Sequence, residues 1–387
     1  MGVITMKKML PLFLTAIARF ASVLSFGMLV QFRMREMDAP LFLISSVSSV
    51  RGGVTSLSSP LWGAISDEAR NRKPVLVLSL TLTALLLPLY LILRNPVFFP
   101  IIAGVVAFCA AGFEPIALAM STDERNRRTS VSLSLLNTAN SIGMGLGRFL
   151  IAALIGILGV LGTMGMFCAV AAFAVVFASF IPRIEHSRHQ RRKTIEKMFS
   201  ALVSKDILKR NNLWAMYIGT LLRQLGTAGT FALIAVYLTE RVGLTQSQAA
   251  FLSMMNPLMQ VPSHIFFGRI IKKIGSKRST VIGASLSGLS SILFASAKGW
   301  EMVLVGYILA GFAFGGFING ASSYIAERTP ANRRAEFLGL LRSARSIGFL
   351  IGPVIAGIIA QWSFTLLYAL MAGVCLVGAV IIFLVCR

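Results

Sequence analysis

Residues 132–147 read SLSLLNTANSIGMGLG, and residues 337–352 read FLGLLRSARSIGFLIG. Eight of these sixteen paired positions are identical at an offset of 205 residues. The same offset relates GAISDEARNRK (63–73) to GRIIKKIGSKR (268–278). A chain that repeats itself across its middle is built from two copies of one structural unit. Both copies lie in apolar surroundings: 56% of the 387 residues are hydrophobic and only 13% are charged. A soluble chain carries about a quarter charged residues, because a wet surface needs them.

The charges come in short bursts between apolar stretches of about 20 residues, the length that spans a bilayer as a helix. Twelve such stretches lie near 10–31, 40–66, 74–94, 97–122, 129–156, 159–182, 213–239, 245–271, 278–298, 300–325, 333–360 and 362–385. They are continuously apolar and do not alternate, which favours helices over barrel strands. The expected fold is an all-α membrane protein of twelve transmembrane helices, arranged as two six-helix bundles related by pseudo-twofold symmetry. The expected domains are an N-terminal bundle (1–182), a basic linker (183–211) and a C-terminal bundle (212–387).

The net charge of +23 would suit a nucleic-acid binder if the basic residues gathered on a soluble module. They do not, so no nucleic-acid partner is expected. If the termini and even-numbered loops face the cytoplasm, that side holds 26 Lys and Arg residues. The other side holds five: Arg33, Arg35, Arg94, Arg241 and Lys298. This bias fits a multi-pass protein of the cell membrane with both termini cytoplasmic. Lys7 and Lys8 precede an apolar run without an evident cleavage site, so that run reads as the first permanent helix. Within the linker, Ile195, Met198, Phe199, Leu202 and Val203 recur at helical spacing and predict an amphipathic helix on the leaflet surface; a flexible tether is the alternative. Cys109, Cys168, Cys375 and Cys386 lie in apolar segments and read as small hydrophobes. No metal or cofactor site is expected.

The loop after the second span makes a resemblance specific. Gly63, Asp67, Arg70, Arg72 and Lys73 are similar to the loop signature of the major facilitator superfamily, G-x-x-x-D-x-x-x-[RK]-[RK] in loose form. Gly268, Gly275, Lys277 and Arg278 match it in the second half, where Lys272 replaces the acid. Asn71 departs from the glycine usual before the basic pair. Two halves in parallel repeat are also a design of that superfamily. The resemblance implies a secondary transporter working by alternating access. It also implies that Asp67 meets the start of the eleventh helix and nearby basic residues, latching the cytoplasmic side; a plain topogenic cluster is the alternative. The glycine of the signature is expected to let two helices approach closely.

Away from the end turns, six arginines fall inside spans, Arg19, Arg51, Arg148, Arg223, Arg342 and Arg345, against one carboxylate, Glu114. A central arginine costs about 2.5–3.5 kcal/mol on insertion scales, so these side chains are expected to face a wet cavity or pair within the bundle. Arg19, Arg51, Arg223 and Arg345 fall near mid-span, where carriers of this type bind cargo. With Asn256 and Gln260 they are the candidate substrate contacts. Ser48, Arg51, Thr55 and Ser59 share one helix face; Asn256, Gln260 and His264 share another. Structural hydrogen bonding between helices is the competing reading of both stripes. Gly143, Gly147, Gly348 and Gly352 form small-residue seams for close packing. Glu114, ahead of Pro115, is the candidate proton carrier, with a salt bridge as its alternative.

The expected function is secondary transport of a small solute, with an anionic organic cargo favoured by the arginine excess. A proton-coupled efflux antiporter for lipophilic compounds is the runner-up; a membrane sensor or receptor without transport is the reading from another class. No nucleotide fingerprint or catalytic constellation suggests an enzyme. The expected partners are a small-molecule substrate, the lipid bilayer and protons as a candidate coupling ion, with the chain acting as a monomer.

Overall fold

The computed structural model describes residues 2–69, 71–122, 129–182, 205–210, 212–330 and 333–386. Arg70, Arg125, Arg127, Arg128 and the apolar linker positions 195–203 lie outside them. Among the described residues the chain is helical and forms no strand.

Seven helices are long and apolar enough to cross a membrane, or eight if the bent pair Leu213–Ala232 and Ile234–Glu240 counts as one span. One of the seven, Leu135–Ser179, is 45 residues long and holds two spans. Gly159 divides it with φ 66° and ψ −178°, a conformation that glycine adopts at little cost. The helices Leu41–Glu68, Ser276–Ala295 and the pair Gln246–Ser253 and Met255–Ile274 supply the remaining three. They fall short on hydropathy because serines, amides and cations interrupt them. The twelve-helix fold expected from the sequence is the fold observed.

Breaks in these helices have identifiable causes. Pro257 has no N–H to offer the carbonyl of Ser253, four residues earlier, and the eighth span breaks between Ser253 and Met255. Pro115 leaves the Ala111 carbonyl without its donor in the same way, and the fourth span breaks between Ala110 and Phe113. The first span contains a turn of π-helix at Phe20–Leu24, a widening that frees main-chain carbonyls.

The chain divides into two compact units. The first comprises Met1–Ala39, Val50–Gln190 and Thr245–Met254. Its core gathers Leu12, Phe20, Trp62, Leu76, Phe113 and Ile116. Its seam is tight, because a Cβ added at Gly143 would lie 2.5 Å from the Ile17 carbonyl oxygen, and one at Gly147 would overlap Ala21 and Ser25.

The second unit comprises Pro40–Ser49, Arg191–Leu244 and Met255–Arg387. Met216, Tyr217, Tyr324, Phe337 and Ile382 pack in its core. Gly348 and Gly352 form its seam against the seventh span, where a Cβ on Gly348 would lie 2.7 Å from the Leu225 nitrogen. The first ten residues of the second span belong to this unit, and the Ser49 hydroxyl donates to the Leu350 carbonyl.

Candidate functional site

In the first unit, Arg19 ends the first helix segment and is only 6% exposed. Its Nη2 donates to the Ala110 carbonyl at 3.0 Å, at the break in the fourth span. Its guanidinium carbon lies 4.5 Å from the Phe20 ring centre and 5.1 Å from that of Phe113. A desolvated cation over a ring face gains about 2 kcal/mol or more, which offsets part of the cost of burial. Glu114 and Arg51 lie within electrostatic reach of Arg19. Glu114 occupies the first turn of the helix Phe113–Thr122, where a negative charge meets the positive end of the helix dipole.

Arg51 is half-buried, and its Nη2 donates to the Val23 carbonyl at 3.1 Å. That carbonyl belongs to the π turn. The guanidinium lies flush against Gly27, where a Cβ would come within 2.8 Å of Nη1. Arg148 donates to the Ser253 carbonyl at 2.8 Å. This is the acceptor that Pro257 leaves without its helical donor. Three intramembrane arginines thus each reach a main-chain carbonyl in an interrupted stretch of a neighbouring helix.

The second unit treats its charge differently. Arg223 is 3% exposed. Its Nε and Nη2 both donate to the Ser287 hydroxyl, at 3.0 and 2.9 Å, and its Nη1 donates to Gln224 Oε1 at 3.4 Å. The guanidinium stands 4.5 Å from the Phe317 ring centre. Arg19 with Phe113 and Arg223 with Phe317 are the same contact in each half, both residues displaced by 204 positions. Arg345 is half-buried, 5.9 Å from the Phe314 ring centre, and lies within electrostatic reach of Arg223. Arg342 is exposed. Gln260 Nε2 donates to Asn256 Oδ1 at 2.8 Å, and both side chains are half-buried. Arg51, Thr55 and Ser59 stand 205 positions before Asn256, Gln260 and His264, so the two polar stripes are one repeated feature.

In the loop cluster, Arg72 Nη2 pairs with Asp67 Oδ1 at 2.7 Å, with the Arg72 side chain 10% exposed. Asn71 caps the third span, its side chain accepting from the Lys73 N–H at 3.0 Å. Gly275, the residue 204 positions on, takes φ 85° at the start of the ninth span, so the departure at Asn71 exchanges one helix start for another. Lys73 Nζ donates to the Ser179 carbonyl at 2.6 Å, and Lys277 Nζ donates to the Cys386 carbonyl at 2.6 Å. The last lysine of the signature thus caps the end of the final helix of each half. The expected close approach at the signature glycines is not the geometry seen. A Cβ on Gly63 would meet Pro115 at an ordinary 3.7 Å, and one on Gly268 would meet nothing within 4 Å.

Sequence reasoning singled out the arginines but not their partners, Ala110, Val23, Ser253 and Ser287. Pro257 was the one available signal, since it marks a carbonyl four residues earlier that needs a donor from elsewhere.

The Major Facilitator Superfamily profile matches residues 12–243 and 216–387. The chain belongs to the major facilitator superfamily. Among superfamily members of similar sequence, quinolone resistance protein NorA of Staphylococcus aureus is 27% identical over 151 residues, 39% of each chain. Multidrug resistance protein 1 of Bacillus subtilis is 32% identical over 120 residues, 31% of each chain. The matched stretches therefore span less than half the length of these relatives. A mutant of the nucleoside transporter NupG superposes with a TM-score of 0.86 at 15% identity, covering 97% of this chain and 99% of that one. At that identity the likeness shows the shared fold.

Proposed function

We propose that this superfamily transporter is a secondary carrier of a small organic anion. The observation that carries the reading is the charge of the span interiors: away from the end turns, six arginines stand against the single carboxylate of Glu114. A carboxylate or phosphate could bind a guanidinium through two parallel hydrogen bonds. Among the arginines proposed from sequence, Arg51 is the strongest candidate. It is half-buried and commits one N–H to Val23, which leaves most of its five donors for a ligand. Arg345 follows. Arg19 and Arg223 are better supported as structural, since rings and hydrogen bonds enclose them. Asn256 and Gln260 remain proposed substrate contacts of the second unit, and Glu114 the proposed proton carrier of the first.

The similarity to NorA and multidrug resistance protein 1 favours a second reading, efflux of lipophilic compounds. One panel separates the two. Thermal unfolding of the purified protein is followed with citrate, benzoate and glucose 6-phosphate, and with tetraphenylphosphonium and ethidium. A ligand at a hundred times its Kd stabilises by about 2.7 kcal/mol. An anion should raise the transition of the wild type and raise it less in Arg51→Lys, which keeps the charge but loses the planar fork. Stabilisation by the cations alone would overturn the anion reading in favour of efflux.

A further inference from the structure

His264 is the only one of the three histidines that lies in a span, since His186 and His189 fall in the linker. Its ordinary titration range lies nearest neutrality among the side chains, and the carboxylates of the second unit's spans, Glu240, Glu301, Glu327 and Glu336, all lie in end turns rather than in the span interiors. The ring sits on the eighth span, half-buried, one turn beyond Gln260.

Asn319 of the tenth span holds the ring at two points. Its Nδ2 donates to the His264 carbonyl oxygen at 3.1 Å, and its Oδ1 lies 3.3 Å from His264 Nδ1. With the amide nitrogen committed to a carbonyl, the amide oxygen is what meets the ring. An amide oxygen only accepts, so Nδ1 carries the hydrogen. The neutral ring is therefore the Nδ1–H tautomer, with its lone pair on Nε2. Among the described residues Nε2 has no hydrogen-bond partner, and the half-buried ring does not seal it away.

Phe314 packs edge-on to the imidazole, with centroids 5.6 Å apart at 88°. The Arg345 guanidinium of the eleventh span lies 5.9 Å from the centre of that same Phe314 ring, so the imidazole and this guanidinium share one aromatic neighbour. Along the eighth span the next charged residues are Arg269, Lys272 and Lys273, more than one turn away. The tenth span has no titratable side chain between Tyr307 and Tyr324. The ninth span contributes only Lys277 and Arg278, at its start. The carboxylates of these elements sit at helix ends: Glu301 in the first turn of the tenth span, Glu327 in its last turn beside Ser276 and Arg328, and Glu336 in the first turn of the eleventh beside Arg333.

We propose that His264 is a proton-uptake site of the second unit, with Nε2 taking the proton from water and Asn319 acting as the positioning residue. Uptake turns the neutral ring into a cation across Phe314 from Arg345, with no other bond made or broken. A bound anion would then favour the protonated ring, and by linkage the proton would favour the anion. That last consequence rests on the anionic-cargo reading; proton uptake itself does not.

Nitrogen-15 NMR of the full chain in nanodiscs tests this, with His186→Gln and His189→Gln leaving His264 as the sole labelled imidazole. The expected result is an Nδ1–H tautomer at alkaline pH that becomes a cation between about pH 5 and 8. Asn319→Leu should erase the tautomer preference and move the midpoint while leaving the protein folded by size exclusion. An Nε2–H ring at alkaline pH, or a ring that stays neutral down to pH 5, overturns the proposal. So does an Asn319→Leu spectrum identical to the parent's. Saturating benzoate should raise the midpoint. If it does not while the titration holds, the proton site stands and the cargo reading for benzoate fails.

Discussion

The two units share one buried arginine position, Arg19 in the first and Arg223 in the second, and neutralise buried positive charge by different means. In the first, Arg19, Arg51 and Arg148 each donate to a main-chain carbonyl where a neighbouring helix is interrupted. In the second, Arg223 takes a serine hydroxyl and an amide oxygen instead. The aromatic contact is common to both, Phe113 for Arg19 and Phe317 for Arg223. The fold thus fixes where an arginine can be buried, while the hydrogen-bond partner is decided locally, by whether a helix nearby has a carbonyl to spare. Arg148 makes the point sharply, because the second unit places Pro353 at the corresponding position and has no guanidinium there.

The largest expected effect tests what the halves share. Leucine at Gly147 or Gly352 would drive a side chain into the backbone of the helix opposite. Overpacking of a tight contact costs about 3 kcal/mol or more in severe cases. Both variants should lose most of their folded protein by fluorescence-detected size exclusion, whereas Gly156→Leu, where a Cβ meets nothing within 4 Å, should behave as wild type. A loss in one half alone would break the equivalence of the seams.

A smaller effect tests what differs. Arg148→Met leaves the Ser253 carbonyl without a donor and should cost about 1–3 kcal/mol, the usual penalty for a buried unsatisfied group. Pro257→Ala restores the missing N–H, so the same substitution in that background should cost clearly less. Thermal denaturation of the four proteins in the cycle measures the difference; an equal penalty in both backgrounds would remove the proline from the account.

The smallest effect returns to symmetry. Lys73→Met and Lys277→Met each remove a cation from a helix C-terminus, an interaction worth about 0.3–1 kcal/mol. The two should lower the unfolding midpoint by similar small amounts. A large effect from one would show that its lysine has a further task.

The repeat, the seam glycines and the loop cluster were legible because they are patterns of side chains at fixed spacing. The partners of the arginines were not, because a carbonyl looks the same at every residue and, of these partners, only Ser253 was announced by a proline four residues on, Pro257. Asn319 was hidden for another reason: it lies 55 positions from His264, and a single asparagine in an apolar run has no periodicity to give it away. The signature glycines show the opposite failure. A physical reason assigned from sequence, close helix approach, is absent at Gly63 and Gly268, although the loop itself is plainly recognisable.

The serine-rich spans bear on how the chain enters the membrane. A helix leaving the insertion machinery meets lipid before all its partners have been made, and bare hydroxyls are a burden there. In the second span Ser45, Ser46 and Ser56 donate to carbonyls of Phe42, Leu43 and Gly52 on their own helix. In the ninth, Ser287 donates to Gly283, while Ser290 and Ser291 both donate to the Ser287 carbonyl. Such bonds need no neighbour, so they form as soon as the helix does. These spans can therefore wait in lipid with their hydroxyl hydrogens already covered, and later add contacts on the oxygen, as Ser287 accepts from Arg223 while still donating to Gly283.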